Sequence, residues 1–166
     1  MDKSHTMRFI SHRGNIRGRD PHYENAPSYV DQAISEGYDV EIDVWELGDS
    51  LYLGHDYGAH KINDTWLENR EERIWVHCKN IQALTYFDSM ASCLHFPYFW
   101  HENDRVALTS TNIIWAYPTI SPIMSSIAVL PETMSKDVSF PNLNICAGIC
   151  SDQIAKYRNY YENILR

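Results

Sequence analysis

Tyr38-Asp39-Val40-Glu41-Ile42-Asp43-Val44-Trp45 alternates strictly between two kinds of side chain. In an extended chain successive side chains point to opposite faces, so Val40, Ile42 and Val44 share one face and Asp39, Glu41 and Asp43 the other. β-branched residues at every second position favour a pleated strand over a helix. Glu41 and Asp43 therefore point the same way. Two adjacent carboxylates repel and raise each other's pKa unless a cation between them favours both ionised forms. A hard divalent ion bound through oxygen is the economical reading, and the plain alternative is an edge strand with one solvated face.

Upstream, Arg8 to Ser11 is a short run ending in His12-Arg13-Gly14, and Asn15 to Tyr23 has the Gly, Pro and charge content of a loop. Glu24-Asn25 follows, then Pro27 opens a helix over 27 to 36 that carries Val30, Ala33 and Ile34 on one side and stops at Gly37. Strand, loop, helix, strand is a βαβ unit. It sets His12 and Arg13 at the same sheet edge as Glu41 and Asp43, where open α/β sheets and barrels place their chemistry. After Asp43 the chain predicts a hairpin through Gly48-Asp49, returning as Leu51-Tyr52-Leu53 to deliver Gly54-His55-Asp56 beside that edge. Such a concentration of histidines, carboxylates and an arginine marks half of an active site.

The order His-Arg-Gly, loop, Glu-Asn, Glu-x-Asp, His-Asp over residues 9 to 56 resembles the glycerophosphodiester phosphodiesterase family, within the phospholipase-C-like phosphodiesterase barrels. Two later pieces are similar as well. Ile74-Trp75-Val76-His77-Cys78-Lys79-Asn80 resembles the family strand ending in Glu-x-Lys, and Ala147-Gly148-Ile149-Cys150-Ser151-Asp152 resembles its closing strand and turn. The resemblance implies that His12 and His55 are the general acid and base, that Arg13 and Lys79 contact the phosphate, and that Glu41 and Asp43 bind a divalent metal (Mg, Ca or Mn) with Glu24 close by. The family glutamate of Glu-x-Lys is His77 here. The third ligand is then this histidine, or comes from elsewhere, such as Glu102 or Glu132.

Phosphodiester chemistry calls for such a set independently. A phosphodiester is a poor electrophile because its oxygens are negative, so a catalyst needs cations on the non-bridging oxygens and proton transfer at the attacking and leaving ones. Histidines titrate near neutral pH and suit paired proton transfer. The expected activity is metal-dependent hydrolysis of a small glycerol-, lipid- or sugar-linked phosphodiester. Two alternatives stay open: a lyase in which a neighbouring substrate hydroxyl forms a cyclic phosphate, and a binding domain without turnover. The absence of a nucleophile elbow or P-loop disfavours acyl transfer and nucleotide-triphosphate chemistry.

At 166 residues the chain reads as one domain. Eight-stranded α/β barrels usually need about 250 residues and rarely fewer than about 200, so the expected fold is α/β, a compact or incomplete TIM-like (β/α) barrel. Strands are expected over 8 to 13, 38 to 45, 74 to 79, 95 to 100, 112 to 117, 126 to 131 and 143 to 149, with the hairpin near 50 to 55. Besides the first helix, helices are expected near 81 to 91 and over 152 to 165, where Ile154, Tyr157, Tyr161, Ile164 and Leu165 mark one face. Phe96 to Pro141, rich in Pro, Ser, Thr and aromatics, reads as short loops in place of outer helices.

The formal charge of −8, from 22 acidic and 14 basic residues, argues against a nucleic acid held over a long footprint but not against a small phosphodiester neutralised locally. No stretch approaches the roughly 18 apolar residues of a membrane span. Met1 to Thr6 is polar, unlike a signal peptide, and reads as an extension ahead of Met7. Cys78, Cys93, Cys146 and Cys150 lack paired Cys-x-x-Cys spacing, which favours reduced thiols in a cytoplasmic protein over structural zinc. His101-Glu102-Asn103-Asp104 reads either as a polar loop facing the site or as a solvated turn. Trp115, with Trp100 and Tyr117, is read as a wall of a substrate pocket, against the commoner place of such aromatics in the core. His5, His22, His60 and His95 read as structural or exposed, and Ser50 to Leu53 offers an interaction edge.

Overall fold

β1 (Arg8–His12), α1 (Pro27–Ser35) and β2 (Asp39–Glu46) form the expected strand-helix-strand unit, with β1 parallel to β2 and His12 opposite Glu41. The structure, a computed structural model, describes residues 7–93, 95–120, 122–139 and 142–164. Met1 to Thr6, Leu165 and the side chain of Ile164 lie outside the described residues, and with them the expected extension, His5 and the end of the last helical face.

After β2 the chain turns back through Gly48 and Asp49, both at φ 59, the backbone twist that suits a two-residue hairpin. The returning strand β3 (Leu51–Leu53) pairs antiparallel with β2. A second short strand, β4 (His60–Ile62), pairs with the far side of β3, so the expected interaction edge at Ser50 to Leu53 is covered and β4 forms the rim. Three residues with His60 and Lys61 among them gave no periodic signal. α2 (Asp64–Glu68), also unforeseen, starts where the Asn63 side chain accepts a hydrogen bond from the Trp66 N–H.

β5 (Ile74–Cys78) lies parallel to β2 on its other side, with His77 opposite Asp43. The edge-strand alternative for Tyr38 to Trp45 thereby falls. β2 is flanked on both sides, and Asp39, Glu41 and Asp43 are 5%, 2% and 0% exposed. Asn80 caps α3 (Ile81–Ser89) by accepting from the Ala83 N–H, and its amide also donates to the Glu46 carbonyl. β6 (Tyr98–Trp100) runs parallel to β5.

From here to residue 147 the described residues hold no α-helix. β7 (Val106–Leu108) and β8 (Ile114–Ala116) form an unforeseen antiparallel pair, and β9 (Ile127–Val129) is parallel to β8. The strand expected over 143 to 149 begins later: Leu143–Ile145 is a 3-10 turn, and β10 is Gly148–Ser151. β10 pairs parallel with both β9 and β1, which brings the last strand beside the first. α4 (Ile154–Ile164) buries Ile154, Tyr157 and Tyr161.

The result is a mixed α/β fold with one ten-stranded sheet. Its ladder is open between β6 and β7, where the Ser110 N–H donates to the Tyr98 carbonyl at 2.8 Å. Alternation divides each strand between two environments. Val40, Ile42 and Val44 of β2 pack with Val30 and Ala33 of α1, Phe87 of α3 and Tyr157 of α4 in the larger core. On the opposite face Ile10, Trp75, Phe99, Trp115, Ile127 and Val129 form a smaller apolar layer. Two residues further along β1, β2 and β5, that same face carries His12, Asp43 and His77.

The turn that presents His55 depends on Gly54, at φ 151, where an added Cβ would collide with the Tyr57 carbonyl oxygen. Gly18 has the same φ with open space around it. Gly18→Ala therefore bears only the backbone cost, while Gly54→Ala also displaces main chain. In urea unfolding we expect Gly54→Ala to lose at least about 1 kcal/mol more than Gly18→Ala. Equal losses would show that the loop yields freely at position 54.

Candidate functional site

Register fixes the centre of the site. Glu41 and Asp43 project from one face of β2, and β5 sets His77 beside them, so that one donor atom from each lies within 4.8 Å of the others. His77 Nδ1 is 2.9 Å from Asp43 Oδ1 and 3.7 Å from Glu41 Oε1. Burial and the Asp43 charge push the Glu41 carboxyl up, more than the nearby His12, Arg13 and His77 pull it down. Asp43 is just as buried, which opposes ionisation, yet its pKa is held well below the usual range by His77, Arg13 and Lys79. Glu41 Oε2 and Asp43 Oδ1 are buried without a hydrogen-bond donor. A donor set of two carboxylates and one imidazole suits a divalent cation.

Cations and amides hold the rest of Asp43. Arg13 Nε stands 2.8 Å from Asp43 Oδ2, and Lys79 Nζ 3.5 Å from Oδ1. Asn25 brackets the same residue: its amide donates to Asp43 Oδ2 at 2.9 Å while its carbonyl oxygen accepts the Asp43 N–H at 2.9 Å. Arg13 sits at φ 55, a conformation that non-glycine residues rarely adopt, pinned by its N–H on the Glu41 carbonyl and by the Asn25 N–H on its own carbonyl. The loop between β1 and α1 thus closes onto β2.

Glu24 is not part of the three-residue cluster. Its carboxylate receives Asn15 at 3.0 Å, Arg19 at 2.9 Å and Arg13 at 3.4 Å, and so anchors the arginine that faces Asp43. Glu102 is exposed at the rim. Glu132 accepts from the Ser151 hydroxyl and the Asp152 N–H, both at 2.9 Å, away from the cluster. Of the candidates for the third ligand, the structure brings His77 to the carboxylates and neither glutamate.

His12 Nδ1 donates to Asp152 Oδ1 at 2.8 Å, and its Nε2 lies 3.8 Å from Glu41 Oε2. Burial lowers the His12 pKa, but the hydrogen bond to Asp152 and the charge of Glu41 outweigh it, so the net shift is upward. Asn15, fully buried, donates to the same Asp152 oxygen at 2.8 Å and fixes the carboxylate. His55 has a 40% exposed side chain, and its Nδ1 meets Asp56 Oδ1 at 2.7 Å. Burial and the Arg13 charge push its pKa down. The loop that carries it is tied to β2 by the Trp45 indole N–H on the Gly54 carbonyl at 2.6 Å.

His12, Arg13, Glu41, His55, His77 and Lys79 line one cavity of about 240 Å³. Trp115 and Tyr117 form its opposite wall. Trp115 is 1% exposed, its ring 4.7 Å from Phe99 and 5.7 Å from Trp75, so it is as much floor as wall. Trp100 does not line the cavity. His101 does, stacked 3.6 Å from Tyr117. A larger cavity of about 610 Å³ opens between the β3–β4 hairpin and α3, lined by none of these residues.

Sequence reading missed the roles of Asn15, Asn25 and Asp152. Asn15 and Asp152 follow strand ends at opposite termini of the chain, and only the β1–β10 pairing puts them together. Asn25 stood in a quoted motif, but nothing local shows that its amide spans both Asp43 groups. In comparisons with known protein families, curated proteins and solved structures, nothing matches the chain. The likeness to the glycerophosphodiester phosphodiesterases therefore rests on the motif order itself.

The His12–Asp152 pair makes stability depend on pH in a defined sense. His12 is raised above 6.5, so its contribution is full below that value and is lost as pH rises through its folded pKa. Asp152 is lowered below 3.8, mainly by the His12 hydrogen bond working against burial, so its contribution is full above that value and lost as pH falls through its folded pKa. We expect the Tm deficit of Asp152→Asn, roughly 2–8 °C for about 1–2 kcal/mol in a chain of this size, to be widest near pH 5 and to shrink above pH 8. A deficit independent of pH would mean that the pair carries no charge.

Proposed function

We propose that this chain is a metal-dependent phosphodiesterase of the phospholipase-C-like kind, its open sheet a pared-down (β/α) barrel. The observation that carries the reading is the shared cavity: two cations, two histidines and a buried carboxylate-imidazole cluster converge on a space the size of a small phosphodiester. Its alkaline side suits a substrate with one negative charge. The barrel reading is supported by the parallel strands, which follow chain order round the sheet until β10 returns to β1.

Glu41, Asp43 and His77 would hold a divalent ion, and the chemistry it would supply is positive charge at a phosphate oxygen and a lowered pKa for a nearby hydroxyl. Arg13 and Lys79 add charge on the non-bridging oxygens, where it builds up in the transition state. His12 and His55 exchange protons with the attacking and leaving oxygens, one accepting while the other donates. Asp152 holds His12 with Nδ1–H occupied, which leaves Nε2 toward the cavity for that exchange. Glu24 keeps Arg13 in place through its ion pair.

The substrate of this proposal is a glycerol-, lipid- or sugar-linked phosphodiester engaged one group at a time. A polynucleotide is disfavoured by the net charge of −8. Among the described residues no helix is long and apolar enough to cross a membrane. A cytoplasmic setting is part of the proposal, supported by four cysteines that are all free thiols, three of them buried.

Two measurements test it. With Mn²⁺ or Mg²⁺ supplied, the protein is expected to cleave glycerophosphodiesters, and Glu41→Ala or Asp43→Ala to abolish turnover while circular dichroism stays unchanged. Phosphorus NMR of the product separates a monoester from the cyclic phosphate of a lyase. His12→Ala and His55→Ala are each expected to cost on the order of a hundredfold or more, and a nitrophenyl diester, which departs without protonation, to rescue in part whichever variant lacks the acid. Diester binding without product over long incubation would overturn the catalytic reading, and equal losses on both substrates for both variants would make the histidines binding groups.

A further inference from the structure

The environment of His77 fixes which of its nitrogens faces the carboxylates. Nε2 lies 3.3 Å from the carbonyl oxygen of His101, a group that only accepts, so this contact is a hydrogen bond in the tautomer protonated at Nε2. The ring cannot turn away freely, because it stacks on Phe99 with centroids 5.1 Å apart and planes 7° from parallel. In that tautomer Nδ1 is a bare lone pair, facing Asp43 Oδ1 at 2.9 Å and Glu41 Oε1 at 3.7 Å. Three acceptors then converge on a buried point, with Lys79 Nζ beside them 3.5 Å from Asp43 Oδ1, and a cation lying among the three relieves their repulsion.

Glu41 Oε2 and Asp43 Oδ1 are both buried without a hydrogen-bond donor. A divalent cation serves both carboxylates and the imidazole at once.

We propose that His77 Nδ1 is the nitrogen donor of a mixed nitrogen-oxygen cation site, its tautomer set by the His101 carbonyl, and that the site favours Mn²⁺, Co²⁺ or Zn²⁺ over Mg²⁺ and Ca²⁺. This rests on the metal-dependent reading above and adds the ion class. Imidazole is a softer ligand than the carboxylate it replaces, and it removes one negative charge, which weakens the hold on hard ions most. The His101 carbonyl acts from behind the ligand, orienting the ring.

The test reads metal binding directly in the full chain, apart from activity. Titration calorimetry with Mn²⁺, Zn²⁺, Mg²⁺ and Ca²⁺ is expected to give a preference of roughly tenfold or more for the first two, and His77→Glu to narrow it. Electron spin echo of the Mn²⁺-loaded protein is expected to show a directly bound imidazole nitrogen that His77→Glu abolishes. Should that variant fail to fold, long-range ¹⁵N spectra of the Zn²⁺-loaded wild type answer the same question, since the His77 ring is identified by its contact with Phe99. Ion binding with no nitrogen coupling, or an unchanged order of ions in His77→Glu, would overturn the proposal and leave a carboxylate metal site standing. Failure of every ion to bind would overturn both readings.

Discussion

Two carboxylates buried side by side in the middle of a sheet are the constraint around which this molecule is organised. Glu41 and Asp43 occupy alternate positions of a strand flanked on both sides, where ionised groups are costly unless matched by charge and hydrogen bonds. The chain supplies that match from every direction: Arg13 from just after β1, Asn25 from the loop before α1, His77 from β5 and Lys79 from just after it. Their convergence draws the loop after β1 over the end of β2 and holds Arg13 in its rare backbone conformation.

The third acidic residue of that face shows the contrast. Asp39, at the opposite end of β2, is neutralised by Arg8 at 2.8 Å and Arg73 at 3.3 Å, with the Trp75 indole N–H on the same carboxylate. Both arginines are about half exposed, so the pair sits at a wet rim and does structural work. Glu41 and Asp43 lie beside a cavity, with two oxygens left undonated. One strand thus carries both a satisfied carboxylate and a pair poised for a ligand, and the difference lies in what stands opposite.

The meeting of the first strand with the last has a chemical consequence. Pairing of β1 with β10 sets Asp152 behind His12 across 140 residues of sequence, and Asn15 bridges Asp152 to Glu24. A single, partly buried network therefore runs from His12 through Asp152 and Asn15 to the Glu24–Arg13 pair and on to Asp43. Perturbing one member reaches the others through contacts of about 3 Å, so their contributions will not add independently.

Local sequence determined the strand-helix-strand unit and the common face of Glu41 and Asp43, because alternation, Pro27 and Gly37 act over a few residues and carry their own geometry. The order of polar clusters likewise placed His12, Arg13 and His55 at one edge. Tertiary structure alone decided what those groups meet. Glu24 pairs with arginines and leaves the cluster to His77, a choice set by the β2–β5 register, which no single segment encodes. The short strands β4 and β7 carry three residues each, too few for a periodic signal, and take their conformation from the neighbours they pair with. Backbone propensity is read within a turn or two of chain, whereas charge compensation is a property of space, and the fold creates that space only once its ends have met.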